Sequence, residues 1–534
     1  MPLAPRYPLL ARSRPYSALA TDFYSHTMAW GFKLLETLDF VTRHGISARD
    51  IWRTRIVQAL FFRRIFSDGG YCLNLGLRAA LDGLLNLHLT REEADWLAEH
   101  PAFRDGPHAP QFQALIRDSA DKFLFQGDIW AIDEGELVFP HEPLLLVVGN
   151  PFEVTIWEAG LLNAYNTGIA YGTTARMICD QARHPHTGAR LPVSDFALRR
   201  MLCGLDGAAL ISDYLLAGGM SATSHTEVGF LHRHDPAGPV RVVGTQAHLW
   251  IMIFGSDEDG FEAYATAYPH AAAFLGDTTD FLRNGVPAAI AEIKRLREQG
   301  YHQFILVRDD SGDLAYHVNK AAAIFREAGI ENAGFIVSNN LDAHTIASLM
   351  RQTDQIAAFG VGTNAVTIKN SPGCVYKTVA TITPDGAINS VIKLSGEPDK
   401  TTIPGPQQVY RLYNGDGIML ADLITELGEA LPPTGTVRMY GPFFRQHRTR
   451  VAYTSCRRLL HKVVEQGQLI RPLPSLLEIR ETSWERFERE LHPGHRRLEN
   501  PHRYRVGMSR RLYERRERMI AAALGEDGDL VEEL

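Results

Sequence analysis

Four apolar runs of the sequence each end in polar side chains of types that bind or react with phosphates, sugars and carboxylates. In chain order these polar ends are Thr245 with His248, Asp277, the run 308–313 (Arg-Asp-Asp-Ser-Gly-Asp), and Ser338 with Asn339. An imidazole can act as a nucleophile toward a phosphoryl group, and a guanidinium can clamp a carboxylate or phosphate. Carboxylates can hold sugar hydroxyls or a magnesium ion. These residue types predict an enzyme site assembled from several strand ends.

The spacing of the polar ends indicates the fold that brings them together. From His248 to Asp277 is 29 residues, from Asp277 to Arg308 is 31, and from Arg308 to Ser338 is 30. A step of about 30 residues is one strand plus one returning helix, the βαβ unit. The sequence therefore predicts a βα barrel, in which chemistry lies at the carboxyl ends of the strands. In this interpretation His248 follows a strand formed around 242–243.

The segments between these strands have helix-forming composition and the usual start and stop signals. The predicted helices are 287–299 stopped by Gly300, 315–328 stopped by Gly329, and 343–351 capped by Asp342. Upstream, 193–198 is predicted to be a strand and 206–216 a helix, which places the start of the barrel near Pro192.

A fifth apolar run, 356–360, leads into Gly360-Val-Gly-Thr-Asn-Ala365, which matches the dinucleotide fingerprint G-x-G-x-x-A. That fingerprint also needs a long following helix and an acidic residue about 20 positions on. Pro372 follows almost at once, which argues against an NAD-dependent oxidoreductase. We interpret the turn as a phosphate nest, in which the backbone N–H groups of Gly362 and Thr363 face a phosphate.

Two arginine sites supply positive charge for anions. Arg308, beside Asp310, can clamp a carboxylate or phosphate, and Arg199 with Arg200 offers a second site. His248 has two interpretations, either a satisfied core histidine or, next to a glycine and a threonine, a nucleophile toward a phosphoryl group. The clamps, the nest and the sugar-binding carboxylates together predict a phosphorylated sugar and a second anionic substrate.

The length of 534 residues is too great for one ordinary domain. We predict an N-terminal α+β domain over 1–150, an α/β barrel over 151–370 and a C-terminal segment over 371–534. In that last segment, 375–380 and 387–394 predict a hairpin that returns to the N-terminal domain. From residue 445 onward arginines are interleaved with glutamates, and we interpret this region as solvated helical surface. The acidic end 526–534 is expected to fray.

The bulk composition argues against several classes of function. A net charge of -7 disfavours nucleic-acid binding by bulk electrostatics. The 5 cysteines are scattered and never at metal-ligand spacing, which favours a reducing compartment and argues against structural zinc. The sequence contains no run of 18 apolar residues, so no membrane span is predicted. The first 21 residues carry arginines without acids, but their prolines would break the helix of a transit peptide, so the cytoplasm is the expected location.

The chain resembles the nicotinate phosphoribosyltransferase family in motifs that run in family order over nearly its whole length. The motifs are Thr21-Asp-Phe-Tyr24, Gly69-Gly-Tyr71, Phe196-Ala-Leu-Arg-Arg200, Gly244-Thr-Gln-Ala-His248, Val307-Arg-Asp-Asp-Ser-Gly-Asp-Leu314, Ser338-Asn339, Phe359-Gly-Val-Gly-Thr363, Lys393-Leu-Ser-Gly-Glu-Pro-Asp-Lys-Thr-Thr402 with Gln408-Val-Tyr-Arg411, and Asn500-Pro-His-Arg-Tyr504. Most of these motifs are weak singly, and their specificity comes from the whole set.

This resemblance implies an irregular α/β barrel of the type II phosphoribosyltransferase fold, with an α+β N-terminal domain completed by later chain. It implies the joining of nicotinate to phosphoribosyl pyrophosphate, giving nicotinate mononucleotide and pyrophosphate in NAD salvage. In the family, ATP hydrolysis is coupled to this reaction through phosphorylation of the histidine that matches His248, and magnesium is required. The family is usually dimeric, with the tyrosine that matches Tyr24 reaching a neighbour's site.

The resemblance also assigns expected roles to single residues. The expected substrate-binding residues are Tyr24, Phe196, Arg199, Ser224, Thr245, Asp277, Arg308, Asn339, Gly362 and Thr363. Among these, Tyr24 would stack on the pyridine, Thr245, Arg308 and Arg199 would hold nicotinate, and Gly362 with Thr363 would take the ribose 5-phosphate. His248 and Asp310 are the expected catalytic residues, and Asp310 and Asp277 would face the ribose or magnesium.

At several positions the chain departs from the family pattern. Ser25-His26 stands where the family usually has Gln-Leu, His225 where it has Asn, Leu249 where it has Ser, and Asn340 where it has Asp. Two other functions stay open, a nicotinamide phosphoribosyltransferase and a non-catalytic relative. The nicotinamide-using relative carries an aspartate where this chain has Ser224, and the absence of that carboxylate favours nicotinate.

Overall fold

The computed structural model of the protein describes residues 16–122, 125–442 and 448–525. The chain forms two compact units. Unit 1 comprises 1–169, 371–474 and 485–534, and unit 2 comprises 170–370 and 475–484. The N-terminal arginines considered as a transit peptide and the acidic end 526–534 lie outside the described residues. Within the described ranges, no helix is both long and apolar enough to cross a membrane.

The strands of the described residues form three larger sheets and one short ladder. In chain order they are β1 Arg55–Phe61, β2 Cys72–Leu73, β3 Asp128–Ile132, β4 Leu137–Val138, β5 Leu145–Gly149, β6 Val193–Asp195, β7 Ala222–Thr223, β8 Ala273–Leu275, β9 Ile305–Asp309, β10 Ala333–Val337, β11 Ile356–Val361, β12 Val375–Ile382, β13 Ile388–Ser390, β14 Gln407–Tyr413, β15 Met419–Glu426, β16 Gly435–Tyr440, β17 Arg448–Tyr453, β18 Ser455–Arg458, β19 Leu460–Glu465, β20 Gln468–Leu469 and β21 Val506–Met508.

The helices occur in both units. In chain order they are α1 Phe23–Thr37, α2 Ala48–Arg53, α3 Leu77–Leu85, α4 Arg91–Ala98, α5 Pro101–Arg104, α6 Ala109–Asp118, α7 Pro151–Ile156, α8 Glu158–Gln181, α9 Gly204–Gly218, α10 Thr226–Leu231, α11 His248–Phe254, α12 Asp257–Ala267, α13 Val286–Glu298, α14 Leu314–Glu327, α15 Ala343–Gln352, α16 Thr363–Val366, α17 Leu476–Arg489 and α18 Arg510–Leu524. A π-helical turn, Phe281–Gly285, runs directly into α13, and short 3-10 turns lie at Leu198–Arg200, Pro398–Lys400 and Pro493–Arg496.

Unit 2 is built on a curled sheet with the strand order β7-β6-β11-β10-β9-β8. All of its strand pairs are parallel. The predicted step of about 30 residues is confirmed, because α13, α14 and α15 each return the chain from one strand to the next between β8 and β11. Parallel strands place their carboxyl ends along one edge of the sheet, and the polar residues that follow them are collected there.

The predicted helix boundaries in this region are confirmed within one or two residues. Gly300 and Gly329 follow α13 and α14 with φ of 89° and 69°, a left-handed conformation that glycine adopts without a Cβ penalty. Asp342 caps α15, where its side chain accepts a hydrogen bond from the backbone N–H of Thr345 at 2.7 Å. Local signals therefore suffice to place these helices.

The segment around His248 differs from the prediction. Val242 makes an isolated parallel bridge with Thr223 rather than a full strand, and His248 is the first residue of α11 rather than the end of a strand. Two β-branched residues are too few to sustain a ladder. The apolar run after His248 instead ends at Gly255, which has a φ of 90° and forms the C-cap of a helix.

Unit 1 contains a mainly antiparallel sheet with the order β13-β12-β1-β5-β3-β19-β20. The predicted hairpin is confirmed as β12 and β13, and β12 also pairs with β1 from Arg55 opposite Ile382 to Phe61 opposite Val375. Later chain thus completes the N-terminal sheet. A second sheet of this unit, with the order β17-β16-β21-β15-β14-β18, is formed by the C-terminal segment alone.

One prediction for unit 1 is wrong in part. Of the region from 445 onward, α17 and α18 are helical as expected, but the earlier part forms strands. The segment 448–469 contains β17 to β20, and in β17 the exposed Arg448, Arg450 and Ala452 alternate with less exposed residues that include the buried Val451 and Tyr453, the period-two pattern of a strand. Arg457 is also not simply solvated, since its guanidinium donates to the buried Glu136 carboxylate at 2.5 Å.

Candidate active site

The strand ends of unit 2 present polar side chains on both faces of the sheet. Because successive side chains of a strand point to opposite faces, Arg308 and Ser338 share one face and Asp309 points to the other. In the β9–β10 ladder Arg308 is the register partner of Ile336. Ile336 and Phe196 belong to one apolar cluster, so Arg308 lies at the polar end of an apolar wall.

Arg308 is held by side chains from three segments of the chain. Its Nε donates to Ser338 Oγ at 2.7 Å and its Nη1 to Thr245 Oγ1 at 3.3 Å, while its Nη2 is 3.0 Å from Asp310 Oδ2. Ser338 Oγ in turn donates to Asp310 Oδ1 at 2.7 Å. A guanidinium has five N–H donors, and three are engaged here. About two donors are left for a substrate, the number that a carboxylate accepts in a bidentate pair.

The ring of Phe196 forms the floor under this guanidinium. The Arg308 guanidinium carbon lies 5.4 Å from the centre of the ring, within the range of cation–π attraction. The ring itself rests against Gly360, where an added Cβ would come within 2.5 Å of it. A glycine is therefore required at 360 for Phe196 to occupy this position, and the ring is a flat apolar surface beside a cation.

A cavity of about 710 Å³ opens beside the Arg308 network, a volume typical of small-molecule sites. Its lining residues are His248, Ile251, Met252, Gly255, Asp277, Thr278, Thr279, Asp310 and Ser311. The Nδ1 atom of His248 is 3.1 Å from Thr278 Oγ1. This contact occupies Nδ1 and leaves Nε2 as the ring nitrogen that can react.

The acidic side chains of the cavity suit a magnesium ion that is shared with a substrate. The described residues contain no group of three or more His, Cys, Asp or Glu able to hold a metal by themselves. Magnesium is usually bound by one or two carboxylates together with substrate phosphates and waters. Asp277 and Asp310 line the same cavity, and Asp277 Oδ1 is buried with no hydrogen-bond partner among the described residues. This donor set fits magnesium.

The turn after β11 does not have the form that the dinucleotide fingerprint requires. The helix that follows, α16, has only 4 residues, too few for a Rossmann turn. Gly362 has φ -113° and ψ -101°, and a Cβ at this position would lie 3.2 Å from the carbonyl oxygen of Phe196. The turn therefore packs against the strand end that carries Phe196, with Thr363 opening α16.

Three other predicted substrate residues have positions in unit 2 outside the Arg308 network. Arg199 is exposed on the 3-10 turn and has no ion-pair partner in the described part of the chain. Ser224 is half-buried directly after β7, and its backbone N–H donates to the carbonyl of Asp195 at 2.8 Å. Asn339 is exposed after β10 with a φ of 94°.

Tyr24, the predicted pyridine-stacking residue, lies in unit 1 on the first turn of α1. Its side chain is 45% exposed, which makes it available to a partner. Burial of the remainder raises the pKa of the Tyr24 phenol, and the nearby Glu158 and Asp22 carboxylates raise it further. The departures Ser25 and His26 are buried beside it, and burial lowers the pKa of His26 to about 4.

Sequence reasoning missed the residues on the opposite face of the sheet. Asp309 is fully buried, and its Oδ2 pairs with His317 Nδ1 at 2.9 Å. Burial raises the pKa of the Asp309 carboxyl, while His317 acts in the opposite direction. Asp195 is likewise buried at the end of β6. The available signal was a carboxylate within or directly after an apolar strand, at a position whose side chain points toward the helices.

The fold and the site thus define an α/β protein whose clustered polar groups are suited to anionic substrates. The model for the nicotinate phosphoribosyltransferase (NAPRTase) family matches residues 207–414, and the models for its N-terminal and C-terminal domains match 42–166 and 406–516. The nicotinate phosphoribosyltransferase of Dictyostelium discoideum is 30% identical over 93% of this chain and 87% of its own. That of Bacillus subtilis is 31% identical over 92% of this chain and 93% of its own.

A solved structure gives the same result at the level of the fold. The crystal structure of human nicotinic acid phosphoribosyltransferase superposes with a TM-score of 0.76 and 27% identity, over 93% of this chain and 99% of that one. The chain belongs to the nicotinate phosphoribosyltransferase family, which is a family of enzymes.

Proposed function

We propose that this enzyme joins nicotinate to 5-phosphoribosyl 1-pyrophosphate, forming nicotinate mononucleotide and pyrophosphate in NAD salvage. The observation that carries the proposal is the Arg308 guanidinium, fixed by Ser338, Thr245 and Asp310 over the Phe196 ring, at the edge of a polar cavity. A flat aromatic ring that bears a carboxylate matches this combination of apolar floor and unused N–H donors. The family resemblance assigns the other face of the pyridine to the tyrosine that matches Tyr24, reaching in from a neighbouring subunit.

The donor substrate fits the remaining polar groups. The backbone N–H groups of Gly362 and Thr363 would bind the ribose 5-phosphate, and the carboxylates of Asp277 and Asp310 would hold ribose hydroxyls and magnesium. When bound, magnesium neutralises charge on the diphosphate of the donor. The residues of the chain hold the two reactants in line, which lowers the barrier by fixing their orientation.

We also propose that ATP phosphorylates His248. The ring lines the cavity, and the Thr278 hydroxyl at its Nδ1 leaves Nε2 as the nucleophile. In the transfer, Nε2 would form a bond to the γ-phosphorus of ATP while the bond to the ADP oxygen breaks, and ADP leaves with the electron pair. Hydrolysis of the N–P bond would then release inorganic phosphate and restore the imidazole.

The curled sheet, we propose, is the wall of the irregular barrel of type II phosphoribosyltransferases. Two contacts of the segment after α10 support this interpretation. Val242 bridges to Thr223 of β7, and the side-chain amide of Gln246 lies against β8, where exchanging its oxygen and nitrogen lets it donate to the Ala273 carbonyl and accept from Leu275 N at 3.1 Å. The segment therefore spans the space between the two edge strands.

A homodimer is the expected assembly, and one surface of unit 2 supports it. Leu249, Met252 and Ile253 of α11 are 66%, 71% and 70% exposed. Adjacent exposed apolar side chains of this kind usually mark an interface. We expect Ile253→Glu to shift the protein from dimer to monomer in analytical ultracentrifugation, and Glu258→Lys on the next helix to leave the mass unchanged. A wild-type monomer at micromolar concentration would contradict the proposal.

A prediction for the phosphate nest follows from the space around Gly362. Gly362→Val would place a side chain where the donor phosphate must meet backbone N–H groups. The new Cβ would lie 3.2 Å from the carbonyl oxygen of Phe196. We expect the KM for phosphoribosyl pyrophosphate to rise by about tenfold or more, equivalent to about 1.4 kcal/mol of lost binding. Gly428→Val, in an open turn of unit 1, is the control. An unchanged KM would show that the turn is only structural.

The function itself is tested with purified protein, phosphoribosyl pyrophosphate and magnesium, supplied with either nicotinate or nicotinamide, each with and without ATP. The expected product is nicotinate mononucleotide, with a higher yield when ATP is present. If neither nicotinate nor nicotinamide gives product, the proposed activity is ruled out.

A further inference from the structure

Asp195 is a buried carboxylate that gathers donors from three elements of unit 2. It is 1% exposed at the end of β6. Its Oδ1 accepts from the backbone N–H of Ala197 at 2.8 Å, and its Oδ2 accepts from Ser212 Oγ of α9 and Thr223 Oγ1 of β7, both at 2.8 Å. All three donors are neutral groups. One carboxylate therefore ties the ends of two strands and a helix together.

The directions of these hydrogen bonds extend the network to His225. The single proton of the Ser212 hydroxyl is donated to Asp195, so Ser212 Oγ accepts from His225 Nδ1 at 3.3 Å. In the same way, the Thr223 hydroxyl donates to Asp195 and accepts from the backbone N–H of His225 at 3.0 Å. The ring of His225 is buried, and its Nε2 is 3.6 Å from Glu227 Oε2.

The network lies directly behind two of the predicted substrate contacts. Asp195 and Thr223 are register partners in the β6–β7 ladder, and both side chains point toward α9. The residues that follow them, Phe196 and Ser224, point to the opposite face by the alternation of strand side chains. For Phe196 this is the face that carries Arg308.

We propose that Asp195 is a positioning residue for the nicotinate pocket. By fixing Thr223 and the turn at Ala197, it sets where Phe196 and Ser224 stand relative to Arg308. His225, which replaces the asparagine usual in the family, completes the network through Ser212. This inference rests on the proposed nicotinate site and adds residues that touch no substrate. It predicts that damage to the network weakens recognition of nicotinate while leaving recognition of the phosphoribosyl donor intact.

The test is a pair of substitutions at Thr223, one without the hydroxyl and one with it. Thr223→Val keeps the shape of the side chain but removes the hydroxyl, and Thr223→Ser restores the hydroxyl. We expect Thr223→Val to raise the KM for nicotinate by about tenfold, whereas the KM for phosphoribosyl pyrophosphate and the rate of ATP hydrolysis stay within about twofold. Thr223→Ser is expected to recover most of the wild-type KM for nicotinate.

A second set of variants keeps the inference testable if Thr223→Val does not fold. His225→Asn should be near wild type, because its amide nitrogen can replace Nδ1 as the donor to Ser212, whereas His225→Leu should raise the KM for nicotinate. Ser221→Ala is the matched control, since Ser221 Oγ donates to the Val193 carbonyl at 3.1 Å outside the network.

The possible results distinguish a failure of the role of Asp195 from a failure of the proposed function. An active wild-type enzyme whose KM for nicotinate is unchanged in Thr223→Val and His225→Leu would overturn the role of Asp195 alone. Equal rises of both KM values, in step with a fall in Tm, would also overturn it, because they indicate a purely structural role. A wild-type enzyme that does not use nicotinate would overturn the proposed function and this inference with it.

Discussion

His248→Ala is expected to abolish ATP hydrolysis and to remove the gain in product that ATP provides. The imidazole lines the cavity with Asp277 and Asp310, and its Nε2 is the proposed acceptor of the γ-phosphoryl group. Alanine offers no nucleophile at this place. Synthesis of nicotinate mononucleotide without ATP should persist at a basal rate, because Arg308 and the phosphate nest are untouched.

The measurement combines steady-state hydrolysis with trapping of the covalent form. Wild-type protein incubated with γ-labelled ATP should carry acid-labile label, and the variant should carry none. Since His248 is half-buried at the start of a helix, we expect the substitution to change stability by no more than about 1 kcal/mol. His302→Ala, an exposed histidine before β9, should behave like the wild type.

A substitution at Thr278 tests whether its hydroxyl orients the His248 ring. Thr278→Val removes the hydroxyl that contacts His248 Nδ1 at 3.1 Å and keeps the shape of the side chain. Labelling should then fall by roughly tenfold, while Thr278→Ser should retain it. Acid-labile label that survives on His248→Ala would disprove the phosphohistidine proposal, whatever the result at Thr278.

The parts of this structure that could be predicted are those that local sequence determines. The step of about 30 residues, the glycine ends of α13 and α14 and the cap at Asp342 each depend on a few neighbouring residues, and each is confirmed. His248 was misplaced because its surroundings contain two competing local signals. The short β-branched pair before it suggested a strand, but the apolar run that ends at Gly255 formed a helix.

The contacts that hold the site together depend on residues far apart in the chain. Arg308 and Thr245 are separated by 63 positions, and Ser212 and Asp195 by 17. No local rule pairs them. The face that each side chain occupies could have been inferred, because Asp309 lies one residue from Arg308 in a strand and must point away from it. Its partner His317 could not, since that pairing depends on how α14 packs on the sheet.

The arginines of the C-terminal segment illustrate the same limit in unit 1. In β17 the β-branched and aromatic residues Thr449, Val451 and Tyr453 recur at every second position, which was a usable strand signal. The high arginine content of the region had instead suggested a solvated helix. The buried partner of Arg457 is Glu136, which is 321 positions away, and Arg411 pairs with the fully buried Asp422 in the same cluster. Composition alone assigns such arginines to the solvent, and only the fold shows that they are partly or wholly buried.

The enzyme is expected to discriminate between nicotinate and nicotinamide, which differ in one group. Nicotinate carries a carboxylate, whereas nicotinamide carries a neutral amide that donates hydrogen bonds. The unused N–H donors of Arg308 suit a carboxylate, which has two acceptor oxygens. The N–H₂ group of nicotinamide is itself a donor, so it cannot accept from these N–H groups. A site that uses the amide needs an acceptor near that N–H₂, and the family resemblance implies that Ser224 would hold the corresponding position here.

No carboxylate is available on β7 or in the residues next to Ser224. Between Asp213 and Glu227 the sequence contains no Asp or Glu, and Glu227 is exposed on α10. The nearest buried acid of the same strand pair, Asp195, points to the opposite face and is occupied by three donors. The wild-type enzyme should therefore prefer nicotinate by about a hundredfold, equivalent to about 2.8 kcal/mol.

Ser224→Asp is expected to reverse much of this preference. The new carboxylate would repel the carboxylate of nicotinate and accept a hydrogen bond from the amide of nicotinamide, and a charged partner of this kind contributes about 2 kcal/mol or more. We expect kcat/KM for nicotinate to fall and that for nicotinamide to rise, each by about tenfold or more. Ser224→Asn introduces a side chain of the same shape as aspartate but without its charge, so it should change the two values to a similar extent and leave the preference for nicotinate. The idea fails if wild-type protein uses both bases equally well, or if Ser224→Asp keeps the preference for the acid.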